Sequence, residues 1–133
     1  MLTSRMDGAA VALPDGRVFV AGGCNSRYPR PEREQARVEF CQLNSALQPD
    51  DAQDFWHPAA PLTRTRSNLA MAYFKGRVIA AGGGPEGETV EVFSLPDADQ
   101  PLGQWTLATP MASLNSCSIL LICSNRLFAV GGE

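Results

Sequence analysis

The chain has 133 residues, enough for one small domain, and 44% of them are hydrophobic, an ordinary share for a globular protein. Its 11 basic and 14 acidic residues leave a net charge of −3, without the basic excess usual in nucleic-acid binders. No apolar run reaches the roughly 18 residues of a membrane-spanning helix, and four cysteines without a CxxC pair give no zinc-site spacing.

The N-terminal stretch, broken by Asp7, Pro14 and Asp15, lacks a signal-peptide core. These features predict no nucleic-acid or membrane partner, no metal, no cofactor, and a reduced, cytoplasmic setting.

The first unit opens with an apolar run, MDGAAVAL, at 6–13. Pro14-Asp15-Gly16 supplies the turn, and RVFVAGG at 17–23 returns as a second strand ending on Gly22 and Gly23. ARVEFCQL at 36–43 reads as a third strand. A polar stretch follows, then Trp56.

The second unit repeats this order. SNLAMAYF at 67–74, the turn Lys75-Gly76 and RVIAAGG at 77–83 form a hairpin ending on Gly82 and Gly83. ETVEVFSL at 88–95 is its third strand, and Trp105 follows the next polar stretch. The third unit holds only a hairpin: SCSILLIC at 116–123, Ser124-Asn125, and RLFAVGG at 126–132, ending on Gly131 and Gly132. No segment carries a helical period.

The spacing is regular. Leu2, Leu62 and Met111 each lie 20 positions before the first glycine of their unit, and Leu62 and Met111 each lie six after a Trp. A strand apolar on both faces is covered on both faces, as a propeller blade is between its neighbours. Paired glycines at its end permit an exit that a side chain would block.

The glycine doublet, the apolar strand after it, the Trp and the six-residue step to Leu or Met resemble the kelch repeat. The resemblance covers the whole chain and implies an all-β fold: a partial kelch β-propeller of about two and a half four-stranded antiparallel blades. The expected units are 1–60, 61–109 and, first hairpin only, 110–133. Kelch repeats usually carry a Tyr on the third strand; Cys41 and Phe93 stand there instead. A propeller needs about four to eight blades to close, so the chain is expected to be a fragment of a larger one, or else a short protein that oligomerises.

Trp56 and Trp105 read as packing residues, and Gly22, Gly23, Gly82, Gly83, Gly131 and Gly132 as structural ones, since neither GxGxxG nor a P-loop occurs. His57, the lone histidine, has no partners for a triad or a metal site. In an up-and-down blade, the loop after strand two and the interblade connection emerge at one end. Arg5, Arg27, Arg30, Arg33, Arg64 and Arg66 collect there with Tyr28, and Glu32, Glu34, Glu86 and Glu88 join them, which makes that end mildly basic. Asp15, Asp50, Asp51, Asp54, Asp97 and Asp99 collect at the other end, against Lys75 and Arg126, and make it acidic.

The resemblance implies that Arg66, four residues after Leu62, points into a peptide-binding face, while Arg5 stands one step out of that register. Arg66, Arg64, Arg27, Tyr28 and Arg30 are the expected partner-binding residues. The expected function is a protein-interaction module, not an enzyme, that binds a target protein or acidic peptide through its loops. Resemblance to kelch-like proteins with a BTB domain implies a substrate receptor of a cullin-type ubiquitin ligase. An actin-binding role, or a propeller enzyme resembling galactose oxidase, are the rival readings.

Overall fold

The computed structural model describes residues 1–25, 35–43, 55–84, 87–112 and 119–131. Among them there is no helix, and ten strands follow one another: β1 (Ala9–Ala12), β2 (Arg17–Ala21), β3 (Val38–Gln42), β4 (His57–Ala59), β5 (Ala70–Phe74), β6 (Arg77–Ala81), β7 (Val90–Ser94), β8 (Gln104–Leu107), β9 (Ile119–Cys123) and β10 (Arg126–Val130). They form two four-stranded sheets, ordered β1-β2-β3-β4 and β5-β6-β7-β8, and the β9–β10 hairpin. Every pairing is between chain neighbours and antiparallel.

The turns explain the hairpins. Lys75-Gly76 and Ser124-Asn125 both have positive φ at their two central residues, the primed-turn geometry that matches strand twist. In the first hairpin Gly16 has φ 87, and Leu13 pairs back to Arg17 across Pro14 and Asp15.

Strand alternation divides each sheet into two faces. Ala9, Val11, Phe19, Ala21, Val38 and Ala59 share one face of the first sheet, and Val78, Ala80, Phe93 and Trp105 the opposite face of the second. These two faces make an apolar core among the described residues. Its centre is aromatic: Phe19 stacks on Phe40 at 5.3 Å and meets Phe93 at 5.4 Å, and Phe93 meets Trp105 at 5.0 Å. β1 lies beside β5, and β5 beside β9, so the first strands of successive sheets form an inner row.

Burial follows neighbour coverage. Val78 and Phe93, between two sheets, are fully buried, whereas Ile119, Leu121, Ile122, Phe128 and Val130 of the last hairpin are exposed. Cys41 and Phe93, at the family's Tyr position, are both buried; only Phe93 supplies a ring to pack on Trp105.

Candidate functional site

A buried ion pair lies inside the second blade, where the segment that enters it from the first blade meets β7. Arg66 Nε donates to Glu91 Oε1 at 3.0 Å, and both side chains are closed to solvent. The remaining guanidinium nitrogens donate to Gly82 O (2.8 Å), Thr89 O (3.0 Å) and Thr89 Oγ1 (2.7 Å). Thr63 N–H donates to Glu91 Oε2 at 2.7 Å. Two buried opposite charges persist only when their other donors and acceptors are also satisfied, and here they are.

The first sheet repeats the arrangement less completely, since the buried Arg5 Nε has no hydrogen-bond partner among the described residues. Arg5 donates to Glu39 Oε1 at 2.8 Å, to Gly22 O at 2.6 Å and to Arg37 O at 3.1 Å, while Leu2 N–H donates to Glu39 Oε2 at 2.8 Å. Burial alone would raise the Glu39 carboxyl; hydrogen bonds from Thr3, Leu2 and Arg5 outweigh it and hold the group below its usual range. Each clamp thus ties the strand-two glycine exit to the glutamate of strand three and to the segment that enters the sheet.

The structure corrects the expectation for Arg66. Its side chain is 1% exposed and lies inside the blade, so it is not available to a partner at that end. It also corrects the register of Arg5. Ala9 pairs with Ala21 and Ala70 with Ala81, so Ala9 and Ala70 are equivalent, 61 residues apart, as are Arg5 and Arg66. The glycines are 60 apart because the first hairpin turn is one residue longer than the second. Counting from the glycines crosses that extra residue and displaces Arg5 by one.

The end expected to be basic therefore presents fewer arginines to solvent, since Arg5 and Arg66 are turned inward. Arg64 remains exposed, between β4 and β5. Arg27, Tyr28, Arg30, Arg33 and Gly132 lie outside the described residues. At the other end Asp15 pairs with Arg17 at 2.7 Å; this hydrogen bonding lowers the Asp15 carboxyl. Asp97 accepts from the backbone of Asp99 and Gln100 in its own loop.

Gly22, Gly23, Gly82, Gly83 and Gly131 all have positive φ. At Gly22 a Cβ would also stand 2.6 Å from Arg66 O of the next blade, so the glycine permits the close approach as well as the turn. Trp105 is buried and donates from Nε1 to Ala60 O of the first blade at 2.9 Å. Trp56 occupies the matching place beside β4 and is half-buried, packing edge-on to Phe55.

The sequence reading missed Glu39 and Glu91. A single carboxylate in the middle of an otherwise apolar strand, at the same place in two repeats (RVEF and TVEV), was the available signal. Among the described residues no group of three or more His, Cys, Asp or Glu could hold a metal ion, and no helix is long and apolar enough to cross a membrane.

The solved structure of YjhT superposes with a TM-score of 0.70, covering 98% of this chain and 39% of that one at 15% identity. The fold is a partial kelch-type propeller. Its two four-stranded sheets are blades, and the β9–β10 hairpin lies beside β5 of the second.

Sequence relatives point the same way. The chain is 23% identical over 105 residues to Kelch repeat and BTB domain-containing protein 2 of Homo sapiens and of Pongo abelii, covering 76% of this chain. It is 32% identical over 73 residues to human Kelch-like protein 31, covering 55% of this chain. It spans 17% and 11% of the lengths of these curated relatives. No family model matches.

Proposed function

We propose that this kelch propeller segment is part of a protein-interaction module, with the units 1–60, 61–109 and 110–133 as its repeats, and that it binds a target polypeptide through the loops at the end carrying Arg64. The observation that carries this reading is the pair of internal clamps. They fix the interblade connections to the rigid sheets, and residues 63–65 stay exposed on that fixed base. Loops held by a stiff scaffold are where recognition is usually placed. Arg64, with Arg27, Tyr28 and Arg30 of the first long loop, favours an acidic target.

Further blades are the other proposed partner. Exposed Ile119, Leu121 and Phe128 form an apolar surface of the kind that neighbouring blades cover within this chain. In a longer protein pairing this propeller with a BTB domain, as the names of the relatives pair them, target binding would serve recruitment to a cullin-type ubiquitin ligase. A cytosolic location accompanies that reading.

The test is titration of the full chain with a fluorescent glutamate-rich decapeptide and a lysine-rich control. The glutamate peptide should bind more tightly, with an affinity that falls with salt and drops in Arg64→Glu. Equal binding of the two peptides would remove the acidic-target reading.

A further inference from the structure

A second site lies at the opposite end of the same blade junction. A cavity of about 310 Å³ opens between the first blade and the β7–β8 loop of the second. Phe40, Phe93, Pro96, Pro101 and Leu102 give it apolar walls, and Arg17 and His57 are its polar residues. Among the described residues lining it, none is acidic. The volume is at the small end of ligand sites and suits one large side chain rather than an extended segment.

The walls are held rigidly. Phe40 stacks on buried Phe19 at 5.3 Å, and His57 tilts against Phe40 at 5.4 Å. Arg17 is positioned by Asp15, whose carboxylate accepts from Nε at 2.8 Å and lies 2.7 Å from Nη2. Its guanidinium carbon stands 5.8 Å from the Phe19 ring centre. Nη1 makes no hydrogen bond to the described residues and remains to donate to an incoming acceptor. An aromatic slot beside a cation, with no carboxylate among its described lining residues, is complementary to an apolar group joined to an anion.

We propose that this cavity takes the free C-terminal residue of a partner polypeptide, aromatic or branched, with the side chain between Phe40 and the prolines and the carboxylate at Arg17. A chain terminus supplies both features within one residue, which is what the volume admits. Asp15 competes with that carboxylate for Arg17 and sets a ceiling on affinity. The site is independent of the Arg64 loops, so either can fail without the other.

The experiment is an NMR titration of the full isotope-labelled chain with the tripeptide Gly-Gly-Phe and with its C-terminal amide. Saturable shifts should appear at Phe40, His57 and Leu102, and the acid should bind about fivefold or more tightly than the amide. Arg17→Gln should erase the acid–amide difference while amide binding persists. Asp15→Asn should move the other way and strengthen acid binding about threefold, because it frees Arg17. Asp15 and Arg17 pair near the surface, so neither variant should unfold the chain. Equal affinity of acid and amide, Gly-Gly-Ala binding as well as Gly-Gly-Phe, or no response to either variant would overturn the proposal.

Discussion

The guanidinium of Arg66 and the carboxylate of Glu91 meet at 3.0 Å inside the second blade, and Arg5 and Glu39 meet at 2.8 Å in the same place of the first. A charge pair repeated in two sheets at one structural register is part of the blade's construction. The Arg66–Glu91 pair is the more complete of the two, because Arg5 leaves its buried Nε without a partner among the described residues. Removing one partner leaves a buried charge uncompensated, at a cost of about 3–5 kcal/mol, whereas replacing both by apolar groups of similar volume is often near neutral.

Arg66→Ala or Glu91→Ala should therefore lower unfolding stability by about 3–5 kcal/mol each, and the double variant Arg66→Met, Glu91→Leu by clearly less than their sum. Urea denaturation of the four proteins measures this. Additive losses would show that the two side chains act separately.

The Glu39 clamp predicts a pH dependence. The folded carboxyl is held below its usual 4.5, so the unfolded chain binds the proton more readily. The clamp's contribution is fully present above that usual value and is lost as pH falls through the lower, folded one. Denaturation midpoints of wild type and Glu39→Gln should differ at neutral pH and converge under acid. A gap that stays constant from neutral pH down to pH 3 would contradict the assignment.

Two glycines separate turn strain from close approach. Both Gly22 and Gly76 have positive φ, 64 and 78, but a Cβ at Gly22 meets Arg66 O at 2.6 Å, while at Gly76 it meets nothing within 4 Å. Gly76→Ala should cost about 1–2 kcal/mol, the left-handed penalty alone, and Gly22→Ala distinctly more. Equal losses in thermal denaturation would remove the interblade contact from the explanation.

The repeat was legible in the sequence because its physical causes are local. Glycines mark the strand exits, turns of two or three residues mark the hairpins, and the step from Trp to Leu or Met marks the interblade crossing. The Arg66 environment was not legible, because a charged residue in a polar loop reads as solvated until its distant partner is known. That partner, Glu91, lies 25 residues on, in β7. The first hairpin's extra turn residue then hid the equivalence of Arg5 and Arg66, which strand pairing reveals at once.

Trp105 offers a probe of the junction. Its indole N–H bonds Ala60 O of the preceding blade at 2.9 Å, so Trp105→Phe should cost about 1 kcal/mol for the lost bond, plus a cavity contribution. Trp56→Phe, at a half-buried site, should cost less. The reverse order in denaturant midpoints would be inconsistent with the packing described.

The central claim is that the two blades are one cooperative body joined through the Arg66 segment, and native-state hydrogen exchange tests it most directly. The amides of Phe19 in β2 and Phe93 in β7 should open with the same free energy, and Arg66→Ala should lower both by similar amounts. If that variant weakens protection at Phe93 and leaves Phe19 unchanged, the blades unfold independently and the account fails.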